Sequence, residues 1–162
     1  MTDYKNFTVD VDADGIALVT WDMPDRSMNV FTEEVMNELD AIIDQIAGSD
    51  AIKGAVITSG KETFSGGADL TMLQKMLGQF EKEKAKDRKK AVKLLFDNAG
   101  RMGWLWRKLE TSGKPWVSAI NGTCMGGAFE LSLACHGRVA ADSPAGRPCY
   151  FSSFVYALFL TY

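Results

Sequence analysis

The stretch Asn121–Asp142, NGTCMGGAFELSLACHGRVAAD, decides how this chain is read. A glycine-rich turn leads into an apolar run, and inside that run stands one carboxylate, Glu130. A carboxylate buried among apolar side chains is costly unless it is paired or protonated. Glu130 is therefore either a first-turn glutamate favoured by the helix dipole or a placed chemical group. The flanking ELSLAC counts against exposure and favours the second reading.

The residues just before this stretch, WVSAI, form a β-rich run after Pro115, so the order is buried strand, glycine-rich turn, helix. The same design occurs once more, in AVITSGKETFSGGADL (Ala55–Leu70). Glycine lets the backbone approach a ligand closely, and a helix N-terminus offers unpaired N–H groups with a positive partial charge. Two such turns facing each other could aim two N–H groups at one oxygen. Loss of one donor from such an oxyanion hole costs ~10²–10³ in rate. Spacing alone leaves the alternative open: two ordinary βα turns, which is the commoner case.

Outward from these segments the chain alternates strands and helices, so the class is α/β. FTVDV and IALVTW, separated by DADG, read as a hairpin. MPDRSMNVF is a loop. Thr32 can cap a helix with Glu33 and Glu34 in its first turn; Val35, Met36, Leu39, Ile42, Ile43 and Ile46 form its apolar stripe, and Gly48 stops it. LTMLQKMLGQF is helical, and the charge run EKEKAKDRKK of mixed sign reads as a solvated face. Ala91, Leu94, Leu95, Asn98, Met102, Leu105 and Leu109 follow helical spacing. GRVAAD reads as a short strand.

With 162 residues, 46 % hydrophobic and 24 % charged, the chain fits one soluble domain with a sizeable core. A net charge of −3 gives no basic field for nucleic acid. The N-terminus MTDYKNFTVDVDADG is polar and acidic, unlike a signal peptide, and no segment suggests a membrane partner. Cys124, Cys135 and Cys149 lack metal or disulfide spacing and read as reduced, cytoplasmic thiols; His136, the only histidine, cannot build a histidine-rich metal site. No P-loop, dinucleotide fingerprint or G-x-S-x-G elbow is present. Ser132 and His136 share a helical spacing but lack an orienting acid, which disfavours a serine hydrolase.

FSGGADL and NGTCMGGAFELSLACHGRVAAD resemble the two signature segments of the crotonase (enoyl-CoA hydratase/isomerase) superfamily, and most closely the N-terminal hydratase domain of multifunctional fatty-acid oxidation enzymes. The resemblance runs from about Asn6 to Asp142 and includes MPDRSMNVF, similar to the family's first substrate-binding loop. It implies a crotonase-like (ClpP/crotonase) spiral of ββα units acting in β-oxidation on acyl-CoA and enoyl-CoA thioesters. No metal and no redox cofactor are implied, since the substrate carries its own coenzyme A. The backbone N–H groups of Ala68 and Gly127 would polarise the thioester oxygen, beside Gly126, and Glu130 would handle the water. Ser65, Gly66, Gly67, Ala68, Asp69 and Leu70 would follow the adenine and pantetheine path. Met28 and Val30 would flank the coenzyme, and Arg26 would meet a phosphate.

The sequence departs from the family pattern after Arg147. A second catalytic glutamate belongs about twenty residues beyond the first, in a GLPE-like segment; the residue twenty positions after Glu130 is Tyr150, and no Asp or Glu follows Asp142. In the family, the helices beyond that point cover the site and build trimers or hexamers. PCYFSSFVYALFLTY (148–162) has no charge and 6 of the 17 aromatic residues. It reads either as a buried core strand or, preferably, as a frameshifted or truncated continuation. The expected organisation is residues 1–147 as the N-terminal portion of a crotonase-like domain, incomplete at the C-terminus, plus an atypical tail at 148–162. The expected activity is enoyl-CoA hydration weakened by the missing carboxylate. The alternatives are an isomerase or other one-carboxylate crotonase, a non-catalytic acyl-CoA-binding module, and an unstable fragment associating through its tail.

Overall fold

The edge of the sheet comes first in the chain. The computed structural model describes residues 3–141 and the backbone of Phe151–Ser152. β1 (Phe7–Val11) and β2 (Ile16–Trp21) form the expected antiparallel hairpin, with Phe7 opposite Trp21 and Val11 opposite Ala17. Asp12 closes it by accepting the N–H groups of Asp14 (3.0 Å) and Ile16 (2.8 Å) on Oδ1. β3 (Gly54–Ser59), β4 (Trp116–Ile120) and β6 (Gly137–Ala140) then add in parallel, giving the order β1–β2–β3–β4–β6. β5 (Cys124–Met125) and β7 (Phe151–Ser152) pair in parallel as a separate two-stranded ribbon.

The first helix, α1 (Glu33–Ala47), follows the sequence reading closely. Thr32 accepts the Val35 N–H at 3.2 Å, and all six residues of the apolar stripe are buried. Each such burial contributes roughly 1.5–3 kcal/mol before entropy is charged against it. Gly48 does end the helix, but at φ −81°, so no left-handed conformation is required there. Its N–H returns to the Asp44 carbonyl, and the chain turns through Ser49–Ile52 into β3.

The helical middle departs from expectation in depth. α2 (Leu70–Lys84) contains no fully buried residue and packs against α3 (Arg88–Glu110). Of the seven positions read as the α3 stripe, only Ala91, Leu105 and Leu109 are buried; Leu94, Leu95 and Met102 are half-buried and Asn98 is exposed. Trp106, outside that stripe, is buried. The C-terminal half of α3 carries its contacts to α1 and α4 (Gly127–Ala134): Arg101 pairs with Glu33, Lys108 with Asp40 and Asp44, and Met102 covers Gly127. The charge run divides between the end of α2 and the start of α3. Asp87 caps α3, and Lys84 and Lys90 pair with Glu81 and Glu83 in solvent, so the run is a solvated face.

The core lies between the sheet, α1 and the C-terminal half of α3, with Trp21, Phe31, Phe64 and Trp116 as its largest fully buried side chains. No described helix is long and apolar enough to cross a membrane. Residues 142–150 and 153–162 lie outside the described residues, and with them the boundary expected at Arg147, Cys149 and the position of Tyr150.

Candidate active site

The first glycine-rich turn is strung between two neighbouring segments. Ser65 donates its N–H to the Thr123 carbonyl and accepts the Met125 N–H, both at 3.1 Å, forming a parallel bridge to Cys124. On the other side Gly66 donates to Asn29 O (3.0 Å), Phe31 donates to Gly67 O (2.8 Å), and Asp69 donates to Phe31 O (3.0 Å). Bonding alternates along extended backbone, so Ala68, between the two groups used by Phe31, turns its own N–H to the opposite side. That N–H has no partner among the described residues.

Asn29 holds this region, and the sequence reading missed it. Its fully buried amide accepts the Met23 N–H at 3.0 Å and donates to Trp21 O and Ser59 Oγ at 2.8 and 2.9 Å. An asparagine in a loop is ordinary, and nothing local in the sequence marks it as buried. Ser65, expected on the coenzyme path, directs its buried hydroxyl inward: Oγ donates to Asn29 O and accepts the Gly67 N–H. Gly67 sits at φ 86°, and a Cβ there would lie 2.7 Å from the Met125 carbonyl oxygen. Only glycine fits both the dihedral and the approach.

The second turn opens α4. Gly126 is its N-cap at φ 52° and ψ −126°, with no side-chain cap. Gly127 follows as the first helical residue, and its N–H has no partner among the described residues. The helix terminus adds its positive partial charge at that point. Gly127 is walled by Met102 Cε, which a Cβ would overlap, and by the Phe31 ring. The two turns abut: a Cβ on Gly67 would meet Gly126 Cα at 3.5 Å.

Glu130 stands about one helical turn beyond Gly127 and is half-buried. Burial raises its carboxyl above the usual carboxylate range, and the Trp106 indole opposes this by favouring the ionised form. Trp106 Nε1 is buried and makes no hydrogen bond among the described residues.

The residues expected along the coenzyme path separate into two groups. Met28 and Val30 do gather over Gly66: a Cβ on Gly66 would lie 2.7 Å from Met28 Sδ and 3.7 Å from Val30 Cγ1. Leu70 is 74 % exposed at the start of α2. Asp69 and Arg26 engage each other at 3.0 Å, with Asp69 buried and also capping α2 through the Met72 N–H. Burial pushes the Asp69 carboxyl up, but the Met72 and Thr71 N–H groups and the Arg26 guanidinium outweigh it and leave the pKa lowered.

The other candidate groups are occupied. Ser132 Oγ donates to Ala128 O, and His136 Nδ1 accepts the Trp116 N–H at 3.2 Å, so they form no nucleophile–base pair. Burial pushes the Cys135 thiol up to about 12, which makes it inert at neutral pH. Among the described residues no group of three or more His, Cys, Asp or Glu could hold a metal ion.

Comparison with known proteins identifies the family. A family profile described as enoyl-CoA hydratase/isomerase matches residues 12–153. The fatty acid oxidation complex subunit alpha of Shewanella amazonensis is 39 % identical over 140 residues, 86 % of this chain and 18 % of the relative. The protein of the same name from Idiomarina loihiensis is 34 % identical over 144 residues, 88 % of this chain and again 18 % of the relative. The chain thus spans about a fifth of the length of these relatives. An enoyl-CoA hydratase/isomerase from Xanthobacter autotrophicus superposes with a TM-score of 0.72 at 23 % identity, over 93 % of this chain and 49 % of that one, which establishes the crotonase-like fold. With its two signature turns abutting and the profile covering most of its length, the chain belongs to the enoyl-CoA hydratase/isomerase family.

Proposed function

We propose that this chain binds 2-enoyl-CoA thioesters of fatty-acid oxidation and carries the water-handling half of an enoyl-CoA hydratase site. The observation that supports the reading is the pair of N–H groups, Ala68 and Gly127, that have no partner among the described residues, on abutting turns with Glu130 one turn along α4. Two donors on the thioester oxygen stabilise the enolate-like charge that develops when water attacks the β-carbon. Glu130 takes the proton from that water as the carbon–oxygen bond forms, and a proton must then reach the α-carbon. A half-buried carboxyl with a raised pKa is suited to proton transfer near neutral pH. Met28 and Val30 over Gly66 offer an apolar lining for the coenzyme arm, and Arg26 lies at the rim for a phosphate. A reducing cytoplasm suits Cys124 and Cys135, two buried thiols that form no disulfide among the described residues.

Delivery of the second proton is the weak point. Tyr150 occupies the spacing of the second glutamate, and no Asp or Glu follows Asp142. A phenol with a pKa near ~10 is a poor replacement for a carboxylic acid. Hydration by this chain is therefore slow, and the same observation favours a second reading, thioester binding without turnover. Hydration of crotonyl-CoA and a longer enoyl-CoA is to be measured for the chain as given and for a version carrying a GLPE-type segment, with calorimetry on a long-chain acyl-CoA. The hydratase reading expects binding by both and turnover raised ~10²–10⁴-fold in the second. Binding without turnover in either version points to the binding module, double-bond migration without hydration points to an isomerase, and no binding by a folded chain removes both readings.

A further inference from the structure

Ser65 stands at the junction of the two glycine-rich turns. It is fully buried, and its N–H, carbonyl and hydroxyl are all engaged. Its backbone reaches the second turn: the N–H donates to Thr123 O and the carbonyl accepts the Met125 N–H, both at 3.1 Å, and Met125 directly precedes Gly126. Its side chain reaches along the first turn: Oγ donates to Asn29 O at 2.9 Å and accepts the Gly67 N–H at 3.1 Å, and Gly67 directly precedes Ala68. One residue therefore bonds to the segment in front of each free N–H group.

We propose that Ser65 is a positioning residue that fixes the Ala68 N–H relative to the Gly127 N–H; this rests on the reading of those two groups as donors to one thioester oxygen. A trans peptide is planar, so the Ala68 N–H points opposite to the Gly67 carbonyl. The Phe31 N–H holds that carbonyl at 2.8 Å, which sets the direction of the donor. The Ser65 hydroxyl holds Gly67 from its other side, and Asn29 O holds the Gly66 N–H at 3.0 Å. Every peptide from Phe64–Ser65 to Gly67–Ala68 is thereby held by a hydrogen bond, and Ser65 supplies a group to all but the last.

The turns need such a pin because the residues before both donors are glycines. Gly67 at φ 86° and Gly126 at φ 52° have no side chain to restrict them, and glycine moves between backbone regions at little steric cost. Two donors share one oxygen only while both stay about 2.7–3.1 Å from the point where its charge develops. Removal of the Ser65 hydroxyl leaves the backbone bonds to Thr123 and Met125 in place. It strands the buried Gly67 N–H, and a buried donor without an acceptor is unfavourable. Rotation of the Gly66–Gly67 peptide relieves that cost and carries the Ala68 N–H with it, while Gly127 stays seated in α4. Ser65 therefore acts from behind the donors and not along the coenzyme path.

The test needs no turnover. Ser65→Ala deletes only the hydroxyl and adds no atom, so it is milder than a substitution at either glycine. In the ¹⁵N-labelled chain its Ala68 amide is expected to lose order and to change orientation relative to the Gly127 amide, as relaxation and residual dipolar couplings report. The Gly127 and α1 amides are expected to match the parent. Infrared difference spectra of a long-chain acyl-CoA with a ¹³C-labelled thioester carbonyl read the consequence. In the parent the two donors shift the bound carbonyl band to lower frequency; in Ser65→Ala the band is expected to return toward its free position with affinity little changed. A role confined to stability would lower the unfolding midpoint and leave the band in place. A bound band that is the same in the parent and in Ser65→Ala overturns the proposal and leaves thioester binding standing. If the folded parent binds no thioester, the hydratase reading falls and the amides decide: a displaced Ala68 amide supports the positioning role, and an unchanged one overturns it. Should Ser65→Ala fail to fold, Ser65→Cys, which keeps a weaker donor and acceptor at the same place, is judged by the same criteria.

Discussion

The two glycine-rich turns share a strand–turn–helix plan but differ in how their backbones are satisfied. The first, Ser65–Asp69, is bonded on both sides, to Asn29 and Phe31 and to Thr123 and Met125, and ends in the Asp69 cap of α2. The second, at Gly126–Gly127, has no side-chain cap and opens directly into α4. One turn is a rigid strut that leaves a single N–H, that of Ala68, pointing away from its partners. The other is a helix end whose first N–H has no partner among the described residues, as helices leave their first donors unpaired. The two donors thus arise from different physics, and the two turns should fail differently. Damage to the first should unfold the chain; damage beside the second should silence it.

The largest effect tests the second turn. Glu130→Gln is expected to lower residual hydration by ~10²–10⁴ without loss of fold. Because burial raises the folded-state pKa of Glu130, its contribution to stability is full below the unfolded value and is lost as pH rises through the folded value. The glutamine variant should therefore be more stable than the parent at neutral pH, with the gap closing in acid, as thermal unfolding at the two pH values would register. A destabilised Glu130→Gln at neutral pH would break the contrast.

The next effect tests the first turn. Gly67→Ala combines φ 86° with a Cβ 2.7 Å from a backbone carbonyl that cannot move aside. A loss of roughly 2–4 kcal/mol is expected in urea unfolding. Gly127→Ala meets only the flexible end of Met102, so its stability cost should be smaller and recoverable in a double variant with Met102→Ala. Equal costs at the two glycines would mean that the turns are held alike.

Smaller effects sharpen the boundary between the first turn and α2. Asp69→Ala removes a cap and the partner of Arg26, for a loss of about 1–2 kcal/mol. Asp69→Asn keeps a capping oxygen and loses mainly the charge, so its cost should be less. The folded-state pKa of Asp69 is lowered, so its contribution is present above the unfolded value and disappears as pH falls through the folded one. Parent and Asp69→Asn should accordingly converge in stability in acid; a constant difference across pH would mean that the charge contributes nothing.

Much of this was legible in the sequence because it is local. The α1 stripe, its Thr32 cap, the first hairpin and both strand–turn–helix segments follow from residue periodicity and turn chemistry within a few positions. Glu130 stood out because a carboxylate in an apolar run is costly wherever the chain goes. Periodicity names a face, however, and not what covers it. The α3 pattern overstated burial at Leu94, Leu95 and Asn98, whereas Arg101, Met102 and Lys108 in the second half of that helix meet α1 and α4. The inward hydroxyl of Ser65 on Asn29 O and the buried Asn29 amide on Ser59 Oγ join groups 36 and 30 residues apart in the chain. The residue types by themselves determined where strands, helices and glycine turns form and which carboxylate is chemically exceptional. The tertiary structure alone decided which backbone N–H groups stay free, because a donor's freedom depends on whether a neighbouring segment consumes it, and those neighbours come from distant parts of the chain.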